Sequence, residues 1–235
     1  MYTIRPATEH DVPSLTQIII QAFARTPFWE NLFPEGTTDP RPLKTARTLS
    51  KLLDPTTHVL VAEHPSTGRI VGYARWTLPS SSTSTSCSST VPTTHPRIPA
   101  ISEEAQRMAS RSSELFPSGG NRAAYDSFYE GLERGKKRYL SEGDFVLELL
   151  ATLPEEQGKG VASGLLRWGL ERADAVNARV YLEATEEGYP IYRKYGWRDL
   201  GEFRMDFEEF GGWGVQRWVF MMRDPGYGLD QDIKN

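Results

Sequence analysis

The segment Gln157-Gly158-Lys159-Gly160-Val161-Ala162 lies between an apolar run and a helical pattern, and it decides the fold. Residues 145–153 ahead of it read Phe-Val-Leu-Glu-Leu-Leu-Ala-Thr-Leu and are followed by Pro154, which has no amide to donate to a sheet ladder. Behind it, apolar residues recur at helical spacing over 161–173 and predict a helix of about four turns. The sequence therefore predicts a strand, a glycine-bearing turn and a helix, whose free amides and dipole suit a phosphate group.

The spacing of the glycines distinguishes between the known phosphate-binding motifs. The Walker pattern Gly-x-x-x-x-Gly-Lys-Ser/Thr does not occur. Gly158, Gly160 and Gly164 approximate a dinucleotide fingerprint one residue out of register, with Glu183 near the required distance of about 20 residues. Residues 154–157 separate the strand from these glycines, and too little sequence follows for a six-stranded sheet. A dinucleotide-binding oxidoreductase therefore remains an alternative only.

These residues resemble the GNAT superfamily of N-acetyltransferases. Its signature is Gln or Arg, two residues, Gly, one residue, and Gly or Ala, placed between a strand and a helix, and residues 157–162 fit it. A second segment, Tyr181-Leu182-Glu183-Ala184-Thr185 followed by Tyr189-Pro190-Ile191-Tyr192-Arg193-Lys194-Tyr195-Gly196-Trp197, is similar to the family's next strand and its Leu-Tyr-x-Lys-x-Gly-Phe helix end. The resemblance implies an α/β fold of the GNAT type, with a mixed, mostly antiparallel central sheet flanked by helices.

The flanking sequence supplies the remaining elements of one domain over 1–235, with its core motif at about 144–197. A minimal GNAT fold joins its third and fourth strands by a short connection, whereas here a helical insertion is expected over about 78–142. Residues 80–94 within it are almost entirely Ser, Thr and Pro and predict a flexible excursion. Alternation and helical periodicity predict strands over 2–5, 58–63, 69–76, 200–207 and 215–222, helices over 12–23, 40–53, 101–115 and 123–140, a loop over 25–36, and a polar tail over 224–235.

Composition limits the class of protein. The chain has 235 residues, of which 38% are hydrophobic and 11% aromatic, enough for a packed core. A net charge of −4 gives no electrostatic footprint for nucleic acid or an anionic membrane. The first residues lack a signal-peptide pattern, and the aliphatic run at 18–20 is too short to span a bilayer. We expect a soluble, cytoplasmic protein.

Cysteine and histidine give little indication of chemistry. Cys87 is the only cysteine and lies in the Ser/Thr tract, so we interpret it as inert, with a nucleophilic role as the alternative. His10, His58, His64 and His95 are scattered without metal-ligand spacing. We predict no metal site.

The resemblance implies acetyl-CoA as cosubstrate and assigns residues to it. In the family the fourth strand splays from the fifth, and its freed backbone groups pair with the pantetheine arm of coenzyme A. Thr185 stands where the family often has Asn, and Gly188 where it often has Ala, so this contact departs from the pattern. The assigned pantetheine positions are Leu150, Ala151, Thr152 and Thr185, and the assigned pyrophosphate positions are Gln157, Gly158, Lys159, Gly160, Val161, Ala162 and Ser163.

Acetyl transfer to an amine also needs an acid and a base. Tyr192 occupies the tyrosine position of the family motif and is predicted to protonate the departing thiolate, with simple packing as the alternative. Glu148 is predicted as the base, because alternation places it on one face with Val146, Leu150 and Thr152, and a carboxylate inside an apolar strand needs a function or a partner. A salt bridge to an arginine of the insertion is the competing interpretation. Glu183 is the second candidate base, and deprotonation through water needs neither.

Aromatic residues suggest where the acceptor binds. Phe28 and Trp29 in the predicted loop, and Tyr125 and Phe128 in the insertion, are predicted to form walls of the acceptor site, with core packing as the alternative. The insertion would then act as a lid instead of merely covering a sheet edge. We expect direct transfer from acetyl-CoA to the amine of a small molecule in a ternary complex. A catalytically silent module that binds coenzyme A is a further alternative.

Overall fold

A computed structural model describes residues 1–36, 38–79 and 100–227. In these ranges seven strands form one sheet in the order β1-β2-β3-β4-β5-β7-β6. Only β4 and β5 pair in parallel, and every other neighbouring pair is antiparallel. The predicted mixed, mostly antiparallel sheet is confirmed, and it differs from the parallel sheet of a dinucleotide-binding fold. The strands are β1 Thr3–Pro6, β2 Thr57–Glu63, β3 Ile70–Thr77, β4 Phe145–Thr152, β5 Val180–Ala184, β6 Arg198–Asp206 and β7 Val215–Arg223.

Helices cover both faces of the sheet. The described helices are α1 Val12–Phe23, α2 Pro27–Leu32, α3 Arg41–Leu53, α4 Glu103–Ser110, α5 Arg122–Tyr139, α6 Val161–Ala175 and α7 Tyr189–Lys194. One face packs against α6, where Gly169 lies against the Trp76 indole and Val161 lies against Gly72 of β3. On the opposite face Lys51 of α3 binds Glu148, which also accepts a hydrogen bond from Thr77. Helices α4 and α5 lie between β3 and β4 in the chain, within the predicted insertion.

A β-bulge in β4 changes which face its side chains occupy. Leu149 pairs with Arg75 and Leu147 pairs with Trp76, so Glu148 between them has no opposite residue. One extra residue reverses the alternation beyond it. The expectation that Glu148 shares a face with Leu150 and Thr152 is therefore wrong: Thr152 pairs with Gly72 and lies on the α6 face, whereas Glu148 binds Lys51 of α3 on the other.

Strands β4 and β5 separate after a short ladder. Phe145, Val146 and Leu147 pair with Val180, Tyr181 and Leu182, and within the described residues no further pair joins the two strands. Strand β4 nevertheless continues to Thr152, and β5 continues to Ala184. The backbone of residues 148–152 on this side therefore faces a gap instead of a neighbouring strand.

Two predicted segments differ from the structure. The expected loop over 25–36 contains helix α2, because Thr26 caps it by accepting a 3.2 Å hydrogen bond from the Trp29 amide, and Pro27 occupies its first turn. The helix predicted over 101–115 is shorter, since α4 begins after the Ser102 cap and ends at Ser110.

Some expectations fall beyond the described residues. The Ser/Thr-rich tract with Cys87 and His95 lies outside them, as do residues 228–235 of the predicted polar tail. Within the described ranges, no helix combines the length and the apolar character needed to cross a bilayer.

Candidate active site

The turn between β4 and α6 presents backbone amides to an open surface. Gly158 and Gly160 have φ values of +73° and +86°, a region that favours glycine. A Cβ added at either residue would meet nothing within 4 Å. No side chain caps α6, and among the described residues no acceptor binds the amides of its first turn, Val161, Ala162 and Ser163. The geometry fits an anion held by backbone N–H groups and a helix dipole.

Side chains around this turn fix its position. Gln157 donates from Nε2 to the carbonyl of Thr152 at 3.4 Å and ties the turn to the end of β4. Glu156 accepts a hydrogen bond from Tyr2 Oη at 2.9 Å and lies 3.4 Å from Lys159 Nζ. The side chain of Lys159 remains more than half exposed, so its cation stands at the rim of the turn.

The gap between β4 and β5 leads directly into this turn. Leu150, Ala151 and Thr152 form the part of β4 that has left β5, and they carry the positions predicted to bind pantetheine. Thr152 Oγ1 is buried and has no hydrogen-bond partner among the described residues. The free backbone edge, the open glycine turn and the uncapped helix together fit the amide-bearing arm and the pyrophosphate of coenzyme A.

Glu148 at the bulge is held by cations. Its Oε1 lies 2.7 Å from Lys51 Nζ and accepts a hydrogen bond from Thr77 Oγ1 at 3.0 Å. Burial raises the pKa of this carboxyl, but Lys51, Arg75 and Thr77 outweigh it, and the pKa lies below its ordinary value. The partner is therefore a lysine of α3, not an arginine of the insertion.

Glu183 on β5 has the opposite environment. Its Oε1 and Tyr181 Oη, on the same face of the strand, are both buried, and the Tyr181 hydroxyl acts to lower the pKa of the carboxyl. Burial raises the pKa of Glu183 to about 7, against the opposing effect of Lys136 on α5. The two carboxylates sit beside the point where β4 and β5 part, and their pKa values are displaced in opposite directions.

Tyr192 lies on α7, the helix that follows β5. Its ring packs edge-on against Trp197 at 5.7 Å and close to Gly188, where an added Cβ would lie 3.0 Å from Tyr192 Cε2. Burial raises the pKa of its phenol, so the hydroxyl keeps its proton at neutral pH. Thr185 Oγ1 accepts a hydrogen bond from the Gly188 amide at 3.3 Å and so shapes the start of this helix.

The predicted acceptor-site aromatics pack against other rings or a cation. The rings of Phe28 and Phe128 lie 4.3 Å apart in a tilted arrangement and both contact Trp218 of β7, so α2 and the insertion helix α5 meet over the sheet. Trp29 is buried and packs on Phe33 at 5.0 Å. Tyr125 is also buried, and its hydroxyl accepts a hydrogen bond from Arg47 of α3. The lining of an acceptor site by these residues stays a prediction.

Comparison with known proteins gives the family. The model of the Acetyltransferase (GNAT) family matches residues 24–197, which is most of the chain. This chain belongs to the GNAT acetyltransferase family. None of the curated proteins compared with it matches. Within the described ranges, no group of three or more His, Cys, Asp or Glu side chains could hold a metal ion.

Solved structures show the same fold as this GNAT acetyltransferase. One is described as a histone acetyltransferase HPA2 and related acetyltransferase from Corynebacterium glutamicum; it has 22% identity and a TM-score of 0.60, with 97% of this chain and 98% of that chain covered. An N-acetyltransferase from Staphylococcus aureus has 14% identity and a TM-score of 0.52, with 95% and 98% covered. A ribosomal-protein-alanine N-acetyltransferase from Brucella melitensis has 19% identity and a TM-score of 0.51, with 94% and 99% covered.

The cations of α3 were missed by the sequence analysis of this GNAT acetyltransferase. Lys44, Arg47 and Lys51 recur at positions i, i+3 and i+7 and therefore share one face of the helix. That spacing was available in the sequence. No role was assigned to it, and only the structure shows that this face packs towards Glu148.

Proposed function

We propose that this GNAT acetyltransferase transfers the acetyl group of acetyl-CoA directly to the amine of a small molecule in a ternary complex. The observation that carries the proposal is the gap between β4 and β5, which runs into the open turn at Gly158 and Gly160 and the uncapped start of α6. Acetyl-CoA supplies the activated thioester when bound. The chain must then hold the cosubstrate, stabilise developing charge and move two protons.

Backbone groups would do the holding. The amides of Val161, Ala162 and Ser163 are directed to bind pyrophosphate oxygens, helped by the α6 dipole. The β5-facing edge of residues 148–152 is suited to pair with the amides of the pantetheine arm. An amide of this edge would also donate to the developing oxyanion, an interaction worth about 3–4 kcal/mol in other acyl transfers.

Glu183 is the base that the environment favours. An amine is protonated near neutral pH and must lose a proton before it attacks a thioester. A carboxylate with a pKa of about 7 accepts that proton far better than one with an ordinary value of 4.5. Glu148 has a lowered pKa and a lysine partner, and it remains the alternative base.

Tyr192 is the proposed acid. Its buried phenol is neutral at physiological pH and, among the described residues, its hydroxyl makes no hydrogen bond that would withhold the proton. It lies on α7, which follows the end of β5 beyond the gap. Donation to the departing thiolate would complete the transfer without a covalent acyl-enzyme.

Binding of acetyl-CoA tests the cosubstrate. In Gly160→Asp a side chain and a negative charge enter the open turn, so we expect micromolar binding in the wild type and at least a hundredfold weaker binding in the variant, measured by calorimetry. Gly143→Asp is the matched control: Gly143 has a φ of +92° and equally open surroundings, but it lies before β4 at the opposite end of that strand. Failure of the wild type to bind acetyl-CoA would contradict the proposal.

Removal of one hydroxyl tests the acid. We expect Tyr192→Phe to lower kcat by about tenfold to a hundredfold while the dissociation constant of acetyl-CoA stays unchanged, because the ring still packs on Trp197. Tyr189→Phe is the control, since Tyr189 Oη lies on the exposed side of the same helix and binds Asp199. Equal kcat values for wild type and Tyr192→Phe would exclude Tyr192 as the acid.

A further inference from the structure

Positive charge is concentrated between α3 and the sheet. Lys44, Arg47 and Lys51 share one face of α3, and Arg75 of β3 is close enough to Lys44 and Glu148 to affect the pKa of both. Glu148 is the one carboxylate that pairs with this group, through Lys51. Among the described residues, no carboxylate forms an ion pair with Lys44, Arg47 or Arg75.

The unbalanced charge acts on Lys44 and Arg75 in different ways. Lys44 is buried, and its Nζ lies over the rings of Trp29 and Phe33 at 4.8 and 4.9 Å. Burial, together with repulsion from Arg47 and Arg75, lowers its pKa to about 7. The Nε of Arg75 is buried without a hydrogen-bond partner among the described residues. Buried cations of this kind are stabilised when an anion supplies the missing partner.

Two cations of the group, Arg47 and Lys51, line a cavity. It has a volume of about 260 Å³ and lies between α3, the segment that follows α4, and the start of α5. None of the residues that line it is acidic, and its polar lining includes Arg47, Ser50, Lys51, Ser112, Arg122 and Tyr125. Arg122 is neutralised by Asp126 at 2.9 Å, whereas Arg47 lies against the rings of Tyr125 and Tyr129. Guanidinium and hydroxyl donors in one small cavity suit a carboxylate, whose planar oxygens match the arginine fork.

Lys51 connects this cavity to the site of acyl transfer. It lines the cavity, and its Nζ binds Glu148 at the point where β4 leaves β5. On the proposed function, a molecule whose anionic end occupies the cavity would extend past Lys51 towards the gap between the strands. The walls of the cavity come from α3 and from the segment between β3 and β4.

We propose that this cavity binds a carboxylate of the acceptor, so that the acceptor is an amine of the amino-acid type and not a simple alkylamine. The inference rests on the proposed function, whose acceptor it specifies. The cavity holds the carboxylate, and the amine of the same molecule is acetylated in the gap.

Matched acceptors test this assignment. Phenylalanine, lysine and histidine are compared with phenethylamine, cadaverine and histamine, which differ from them by the carboxylate alone. In the wild type we expect kcat/KM to be at least tenfold higher for at least one amino acid than for its amine. In Arg47→Gln that preference should fall close to one, while Arg107→Gln on the exposed side of α4 should keep it.

Arg47 is half-buried, so the variant needs a check on folding. Thermal unfolding and acetyl-CoA binding are measured for each variant, and Arg47→Lys, which keeps the charge, should retain part of the preference. Binding of the same acceptors to the enzyme saturated with coenzyme A is measured by calorimetry as a second readout that does not require turnover.

The outcomes separate the two proposals. Turnover of amino acids and amines with equal kcat/KM overturns the carboxylate assignment and leaves the proposed function intact. Binding that depends on the carboxylate and on Arg47, without turnover, supports the cavity and contradicts the acetyl transfer. A preference for O-phosphoethanolamine over ethanolamine, with none for the amino acids, overturns the carboxylate assignment in favour of a phosphate.

Discussion

Glu148 and Glu183 lie on adjacent strands but have different chemical environments. Lys51, Arg75 and Thr77 lower the pKa of Glu148 despite its burial, whereas burial raises the pKa of Glu183 to about 7. Carboxylates whose pKa values are displaced in opposite directions commonly take different roles in a site. Here Glu148 pairs with Lys51 of α3, and Glu183 is suited to exchange a proton.

Glu183→Gln tests this role through two dependences on pH. The wild-type kcat/KM should rise with pH and level off above about 7, because the base must be ionised. The variant should be about a hundredfold less active, and its kcat/KM should no longer rise over this pH range. Stability should respond in the opposite way. A carboxyl with a raised folded-state pKa destabilises the fold once it ionises, so the variant should match the wild type near pH 4 and exceed it by on the order of 3 kcal/mol above about pH 8.

Exposed Glu209 supplies the control, since Glu209→Gln should change neither profile. The activities are measured as kcat/KM across pH and the stabilities by chemical unfolding at both extremes. A variant that keeps the wild-type pH profile would show that another group, or water, takes the proton.

The sequence analysis named both glutamates as candidate bases. It placed Glu148 first, whereas the environments in the structure favour Glu183 as the proton acceptor. The residue types and their strands could be predicted from motif and alternation. The partner of Glu148 could not, because Lys51 is far away in the chain and the bulge decides which face meets it.

Helix α5 is fitted to the sheet through glycines. Gly131 lies against the ring of Phe203, and Gly135 lies against the ring of Phe220, where an added Cβ would be 2.5 Å from Cε1. Phe220 belongs to a small buried cluster with Val146, Tyr181 and Met222, on the same face as Glu183. These glycines therefore let the helix approach the strands closely and shield that face from water.

The element-scale prediction compares two glycines in helices. Gly135→Ala should lower the free energy of unfolding by about 1–3 kcal/mol, because overpacking against Phe220 outweighs the better helix propensity of Ala. Gly164→Ala in α6 should be neutral or stabilising by up to about 1 kcal/mol, since its Cβ would lie 3.5 Å from Ile4, an ordinary contact. Chemical unfolding measures both, and equal effects would show that α5 does not pack as described.

Elements were predicted best where a local signal was strong. The glycine turn and the helix after it follow from residues 157–173, and the structure has α6 there. Helix α2 was missed although Thr26 and Pro27 form a recognisable start, because its aromatic residues gave no helical period. The bulge in β4 left no trace in the sequence, since it arises from pairing with β3.

At the scale of the whole molecule, Arg223 joins elements that are distant in the chain. It is fully buried and donates to both carboxylate oxygens of Asp174 at the end of α6, at 2.7 and 2.8 Å. It also donates to the carbonyl of Tyr195 at 3.0 Å and to that of Tyr227 at 2.6 Å. Strand β7, α6, the end of α7 and the segment after β7 are thereby held together.

Arg223→Met should therefore destabilise the fold by about 3 kcal/mol, because Asp174 and two carbonyls lose a buried partner. Arg198→Met is the control, since Arg198 and Asp224 are both more than half exposed and such a pair contributes less than about 1 kcal/mol. The midpoints of thermal unfolding give the comparison. A similar small change in both variants would contradict the structural role of Arg223.

The overall architecture could be predicted because two family motifs fix the order of the central elements, and the sheet order confirms it. Interactions such as that of Arg223 with Asp174 could not, since they join residues whose separation in the chain carries no pattern. The same limit applies to the cavity beside α3, which is built from three separate segments.

The short ladder between β4 and β5 gives this sheet an edge in its interior. Every sheet that is not closed has two outer edges, where unpaired backbone groups can recruit another extended chain. Here β4 and β5 also have unpaired backbone groups where they face each other beyond their short ladder, inside the sheet. An extended molecule with its own amides can complete them as an added strand would, which is a small-molecule counterpart of β-augmentation. On the proposed function, recognition of the cosubstrate would follow the rules of strand pairing, and the bound ligand would extend the hydrogen bonding of the sheet.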